Sequence, residues 1–163
     1  MIDYFFESMV PIVPLMALFM CVFTIVYMQL LLSKRTEFKD LRKESIRFIS
    51  QWNSPELVKV SMNVLNYETI KKLRRMKEDD EIVKLENYQD IITILNFMEE
   101  MALYIDNRLV NERILRKYFS QIVFEIYKTL EIYIEILRDE RRNPTLYRQF
   151  EKLVNIWMFS NNQ

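Results

Sequence analysis

The chain contains no glycine and no histidine, and only one cysteine and four prolines among its 163 residues. Each shortage excludes something. Glycine supplies the positive-φ positions of tight hairpins and many helix C-caps, so its absence argues against a β-rich fold. It also rules out a P-loop and a dinucleotide-binding fingerprint. Without histidine there is no Ser-His-Asp triad, no Cys-His pair, no His-ligated metal and no His general base. Lone Cys21 has no partner for an internal disulfide. It lies in an apolar run and reads as a small apolar residue rather than a reactive thiol. Glu99 and Glu100 are adjacent, but neighbouring helix positions diverge and make no acid/base pair. The sequence therefore predicts no catalytic residue, no metal and no cofactor.

Prominent instead is a charge-free run, "SMVPIVPLMALFMCVFTIVYMQLLLS", from Ser8 to Ser33. Its apolar part, 10–32, would be about 34 Å long as a helix, against a hydrocarbon core of about 30 Å. A buried helix of a globular domain is shorter. A signal peptide starts with basic residues and ends at a small-residue cleavage site. Here the start is "MIDYFFE", with Asp3 and Glu7 and no Lys or Arg. The expectation is an uncleaved transmembrane helix in contact with lipid, with a domain boundary between residues 33 and 34.

The flanks predict its orientation. Lys34, Arg35, Lys39, Arg42, Lys43 and Arg47 follow the span, and no Lys or Arg precedes it. Positive residues stay inside, which puts the N-terminus outside and residues 34–163 in the cytoplasm, most simply across a bacterial inner membrane. All 23 basic residues and 21 of the 23 acidic ones lie in that part, a net +2. Such a balance argues against direct nucleic-acid binding by bulk electrostatics. Within the span, Ala17, Cys21, Thr24 and Met28 recur at i, i+4, i+7 and i+11. Small residues on one face let helices approach, so this is a candidate packing or pore-lining face. Gln29 is a further candidate on a different face. Gln29 and Tyr27 are also placed to approach the interface, where Tyr is common.

The remainder reads as an all-α bundle. Phe38, Leu41, Phe48, Ile49 and Trp52 could prolong the first helix. Ser54 is a candidate cap, with Pro55 at the first helical position and Glu56 favouring the dipole. A second helix is expected from Pro55 towards Met76, then a charged turn, "KEDDEIVKLE". A third covers about Tyr88 to Asn107. Asn111 caps a fourth that keeps its apolar period to about Arg141. Asn143 and Pro144 are expected to cap and open the last helix, with Leu146, Phe150, Leu153, Val154 and Trp157 inward.

Arg142-Asn143-x-x-x-Tyr147 stands one residue from a ribonuclease signature, in which Arg and a polar residue precede a His. Locally, "RRNP" is explained by helix capping alone. Three longer phrases, "QWNSPELVKV", "ILNFMEEMALYIDNRLVNERILRKYFSQIV" and "RRNPTLYRQFEKL", together resemble an uncharacterised bacterial domain family of small all-helical, often membrane-anchored proteins, and also resemble the family of small membrane accessory proteins of type VI-B CRISPR loci. The likeness covers about residues 45–157. That family joins an N-terminal membrane segment to a divergent HEPN domain. The resemblance implies a HEPN-like helical bundle, homo-oligomerisation into a membrane pore, and a functional link to an RNA-guided RNase effector in antiviral defence. It aligns Arg142 and Asn143 with the motif's Arg and polar residue and puts Tyr147 in the place of its His. A tyrosine, with a pKa near 10, is a poor base at neutral pH. The expected function is therefore a non-catalytic membrane effector that forms a pore. The alternative is a membrane-tethered adaptor that recruits a cytoplasmic partner. A residual RNase is the third reading.

Overall fold

A computed structural model describes residues 12–66, 68–73 and 87–159. Among them there is no strand. Five helices stand out: α1 (Ile12–Trp52), α2 (Pro55–Val64), α3 (Tyr88–Asp106), α4 (Glu112–Glu140) and α5 (Arg148–Phe159). Residues 68–73 add a short helical segment. The charged stretch "KEDDEIVKLE", the residues that would carry a second helix on to Met76, and the start of the apolar span at Val10 lie outside the described residues.

Two of the three expected capping residues, Ser54 and Asn111, act as predicted. Ser54 takes an extended conformation and its hydroxyl accepts from the Leu57 amide, with Pro55 at the first helical position. Asn111 is extended as well, and its Oδ1 accepts from the Ile114 amide at 3.3 Å. Each satisfies one of the amides that a helix start leaves without a partner.

Two boundaries differ from expectation. The helix beginning at Pro55 stops at Val64 instead of running on. Asn66 ends it by starting a new turn: its Oδ1 accepts from the Thr69 amide at 2.7 Å, and its carbonyl accepts from Ile70 at 3.1 Å. The carbonyl of Asn63 is left for side chains, Thr69 Oγ1 and Asn87 Nδ2, both at 3.0 Å. Asn63 in turn donates to Asp90 at 2.7 Å. This buried polar junction around Thr69 fixes the entry to α3. The second difference is α5, which begins at Arg148 and not at Pro144. Residues 144–147 form a turn, and Tyr147 sits at φ 58°, outside helical space.

The chain divides into two compact units, Met1–Asp40 and Leu41–Gln163. In the second, the last three turns of α1 bring Ser45, Phe48 and Trp52 into the interior. Aromatic rings concentrate there. Phe48 meets Phe97 at 5.9 Å and Tyr104 at 5.1 Å, and Trp52 meets Phe97 at 5.4 Å and Phe119 at 5.9 Å. Phe119, Ile126, Leu130 and Leu137 carry the core along α4, and Phe150, Val154 and Trp157 close it from α5. Ser45 is fully buried and used twice. Its hydroxyl donates to the Leu41 carbonyl and accepts from the Asn111 amide, both at 2.8 Å.

Candidate functional site

Two places could carry function: the connection between α4 and α5, and the apolar length of α1. The connection starts with a glycine problem solved without glycine. α4 ends with Arg141 as its cap, and the next residue, Arg142, takes a left-handed φ of 50°. The Asn143 amide then bonds the Arg138 carbonyl at 2.9 Å and the Arg142 amide bonds the Asp139 carbonyl at 3.2 Å. This is a Schellman termination, in which glycine normally holds the left-handed place because it has no Cβ. The end of α3 repeats it, with Arg108 at φ 57°, Leu109 bonding Tyr104 at 2.9 Å and Arg108 bonding Ile105 at 3.0 Å.

Asn143 caps a turn rather than a helix. Its Oδ1 accepts from the Thr145 amide at 3.1 Å and from the Thr145 hydroxyl at 2.8 Å. Arg138 holds the far side. Its Nε donates to the Leu146 carbonyl at 2.9 Å, and its Nη2 pairs with Glu151 at 2.8 Å. The start of α5 is then capped from α3. Glu99 accepts from the amides of Gln149 at 3.3 Å and Phe150 at 2.7 Å. A carboxylate at a helix N-terminus satisfies free amides and complements the dipole. Glu100, the next residue, faces elsewhere, 3.7 Å from Arg47.

The three motif residues therefore have separate fates. Arg142 is exposed and lines an open depression with Glu135, Arg138, Asp139 and Pro144. Asn143 is exposed and spent on Thr145. Tyr147 is turned inward, 3% exposed, and donates its hydroxyl to Asn96 Oδ1 at 3.2 Å. Burial pushes the Tyr147 phenol above its ordinary pKa. Arg141 opposes that shift, and Tyr88 and Glu99 add to it. Tyr147 is thus a neutral donor at physiological pH, unsuited to taking a proton from a ribose hydroxyl. Arg141 itself donates to Tyr88 Oη at 2.8 Å. Among the described residues no group of three or more His, Cys, Asp or Glu could hold a metal ion.

The second place is α1. One helix among the described residues is long and apolar enough to span a membrane, and none of its most apolar window is buried. Ala17, Cys21, Thr24, Met28 and Gln29 are all exposed along it. Thr24 returns its hydroxyl to the helix, to the carbonyls of Cys21 at 2.8 Å and Met20 at 2.9 Å. Gln29 makes no side-chain hydrogen bond among the described residues.

Sequence reasoning did not find Arg138 or Asn96, and it weighed Glu99 only as a neighbour of Glu100. Their partners lie 8 to 51 residues away, and only the fold brings them together.

These features define a class: an all-helical bundle on a chain whose first long helix is suited to a bilayer. Residues 11–157 match the model of the domain of unknown function DUF4760, and the chain belongs to that family. Neither a curated protein nor a solved structure matches it.

Proposed function

We propose that this protein is a membrane-anchored, non-catalytic effector of RNA-guided antiviral defence. Its HEPN-like bundles assemble in the cytoplasm, and the α1 helices of several copies form a pore in the bacterial inner membrane. One observation carries the reading. The apolar length of α1 is exposed on every side, and lipid or neighbouring copies are the surroundings that relieve such a surface. The burial of Tyr147 supports the non-catalytic part, because the position that would need a base is spent on packing. The pore and the defence context rest on the resemblance of the three phrases around residues 45–157. The orientation rests on the basic residues that follow the span.

A tethered adaptor is the second reading. The observation that favours it is an open depression on the bundle lined by the half-exposed Phe124 and Met158, a surface that a cytoplasmic partner could cover.

Membrane potential, followed with a dye in cells that carry the whole defence locus and are challenged with phage, separates the two. Depolarisation that disappears with Thr24→Lys or Gln29→Lys is the expected result. Intact protection without depolarisation rejects the pore and leaves the adaptor. The non-catalytic part has its own test. Purified protein should leave RNA intact, and RNA turnover abolished by Arg142→Ala would overturn it.

A further inference from the structure

Immediately after the apolar length, α1 sorts its charges by side. Arg35, Lys39, Arg42 and Lys43 recur at i, i+4, i+7 and i+8, within an arc of about 100°. Glu37, Asp40 and Glu44 recur at i, i+3 and i+7, on another side of the same helix. Stacking like charges at these spacings destabilises an isolated helix, and mixing them would stabilise it. Two opposite-charge pairs cross the division, Lys34 with Glu37 and Asp40 with Lys43, but the like pairs Arg35–Lys39, Lys39–Arg42 and Lys39–Lys43 inside the basic arc are unfavourable unless something outside the helix meets the cations.

Nothing described in the chain meets them. Lys34, Arg35, Lys39, Arg42 and Lys43 are exposed, and none makes an ion pair or side-chain hydrogen bond among the described residues. Glu44, by contrast, is engaged by Arg47 at 2.6 Å. The free charge on this length is thus five cations against two carboxylates. Phe38, 58% exposed, sits at the edge of the basic arc, away from the acids. A cationic face with an exposed aromatic ring suits the headgroup layer of a bilayer.

We propose that this face of α1 binds anionic phospholipid headgroups at the cytoplasmic surface of the membrane. The inference rests on the reading of α1 as a membrane span and adds the class of lipid. Distance along the helix decides which residues touch. With the hydrocarbon ending at Leu32, Arg35 is about 5 Å beyond it, Lys39 about 10 Å and Lys43 about 16 Å. The headgroup layer is about 5–7 Å deep on each side. In a helix the Cα–Cβ bonds tilt towards the N-terminus, here towards the membrane. Arg35 and Lys39 therefore reach phosphates directly. Arg42 and Lys43 act through space, within a Debye length of about 8 Å of the headgroups. The same length of α1 in a second copy is a weaker match, since its two free carboxylates answer only part of the basic face.

The test uses the full chain in nanodiscs of equal phosphatidylglycerol and phosphatidylcholine, with protein-bound lipid counted by native mass spectrometry. Phosphatidylglycerol should be enriched about two- to fivefold. The quadruple variant Arg35→Gln, Lys39→Gln, Arg42→Gln, Lys43→Gln should lose the enrichment, and Glu37→Gln with Asp40→Gln should keep it. Equal enrichment in wild type and quadruple variant overturns the proposal. So does loss of oligomers in that variant with lipid preference unchanged, which would assign the face to a second copy. Should the quadruple variant fail to insert, raising salt from about 50 mM to about 500 mM on wild type gives the answer. Enrichment that survives the salt overturns the proposal. Wild type that does not enter nanodiscs at all refutes the membrane span itself, a different failure.

Discussion

Two lengths of one helix follow different rules. From Met16 to Leu32, α1 is exposed and apolar on all sides, with Leu18, Phe19, Val22, Phe23 and Ile25 leaving no polar stripe. From Leu41 to Trp52 the same helix is amphipathic. Leu41, Ser45, Phe48 and Trp52 turn inward at i, i+4, i+7 and i+11, while Arg42, Lys43 and Arg47 face water. Both are parts of one α-helix, so the difference is the surroundings each requires. The first length needs an apolar medium on every side, and the second needs one packed neighbour and one wet face. Residue type, not helix formation, divides the protein.

The strongest way to break this comparison is to truncate one aromatic in each region. Phe119 is fully buried and touches Trp52, Phe97 and Tyr118. Phe119→Ala should destabilise the bundle by about 3–5 kcal/mol. Phe23→Ala, on the exposed apolar length, should leave bundle unfolding unchanged. Thermal unfolding of the full chain in detergent, followed by near-UV circular dichroism, reads both. Equal losses would mean that the apolar length is part of the bundle core, contrary to the division drawn above.

The helical pattern is largely legible in the sequence, because apolar period and capping are local. Ser54 and Asn111 each serve an amide three residues on, within reach of a short peptide. The interruption at Asn66 was local too. Asn66-x-x-Thr69 is a capping signal of the same kind, masked by the continuing apolar period of Leu65, Ile70 and Leu73. The α4–α5 connection was only half legible. Its sequence, Asn-Pro, announces a helix start, but the left-handed Tyr147 delays that start by four residues. What holds Tyr147 there is its buried ring and its bond to Asn96, a contact 51 residues away in sequence. Glu99, which starts α5, is equally remote in sequence. A pattern read along the chain carries no information about such pairs.

A milder test exploits two phenols that belong only to the bundle, the buried Tyr133 and the half-buried Tyr127. Burial pushes the pKa of both Tyr127 and Tyr133 up to about 12. In the unfolded chain each would ionise near 10. Below pH 10 both states carry the proton and stability does not depend on these groups. Between about 10 and 12 the unfolded chain has lost protons that the folded one keeps, so stability falls as pH rises. Denaturant midpoints measured from pH 8 to pH 12 should therefore decline above pH 10. The decline should be shallower in Tyr127→Phe with Tyr133→Phe. An unaltered slope in the double variant would show that the phenols are not sealed from water.

The smallest expected effect bears on the motif itself. Arg142 and Arg108 occupy the same left-handed place at the ends of α4 and α3. A residue with a Cβ pays about 1–2 kcal/mol for that conformation. Glycine pays nothing there, but loses about 0.5–1 kcal/mol through the greater freedom of its unfolded state. The balance favours glycine, so Arg142→Gly and Arg108→Gly should each stabilise by about 0.5–1 kcal/mol, or about 2–4 °C in Tm. The pair of variants separates structure from function because the geometry is shared and only Arg142 lies in the motif. If Arg142 serves only as a helix terminator, both variants should gain stability and both should support phage protection at the wild-type level. Equal stabilisation with protection lost in Arg142→Gly alone would give that guanidinium a task in assembly or partner contact, since its backbone role would be intact. The depression it lines with Glu135, Arg138 and Asp139 would then be the surface to map.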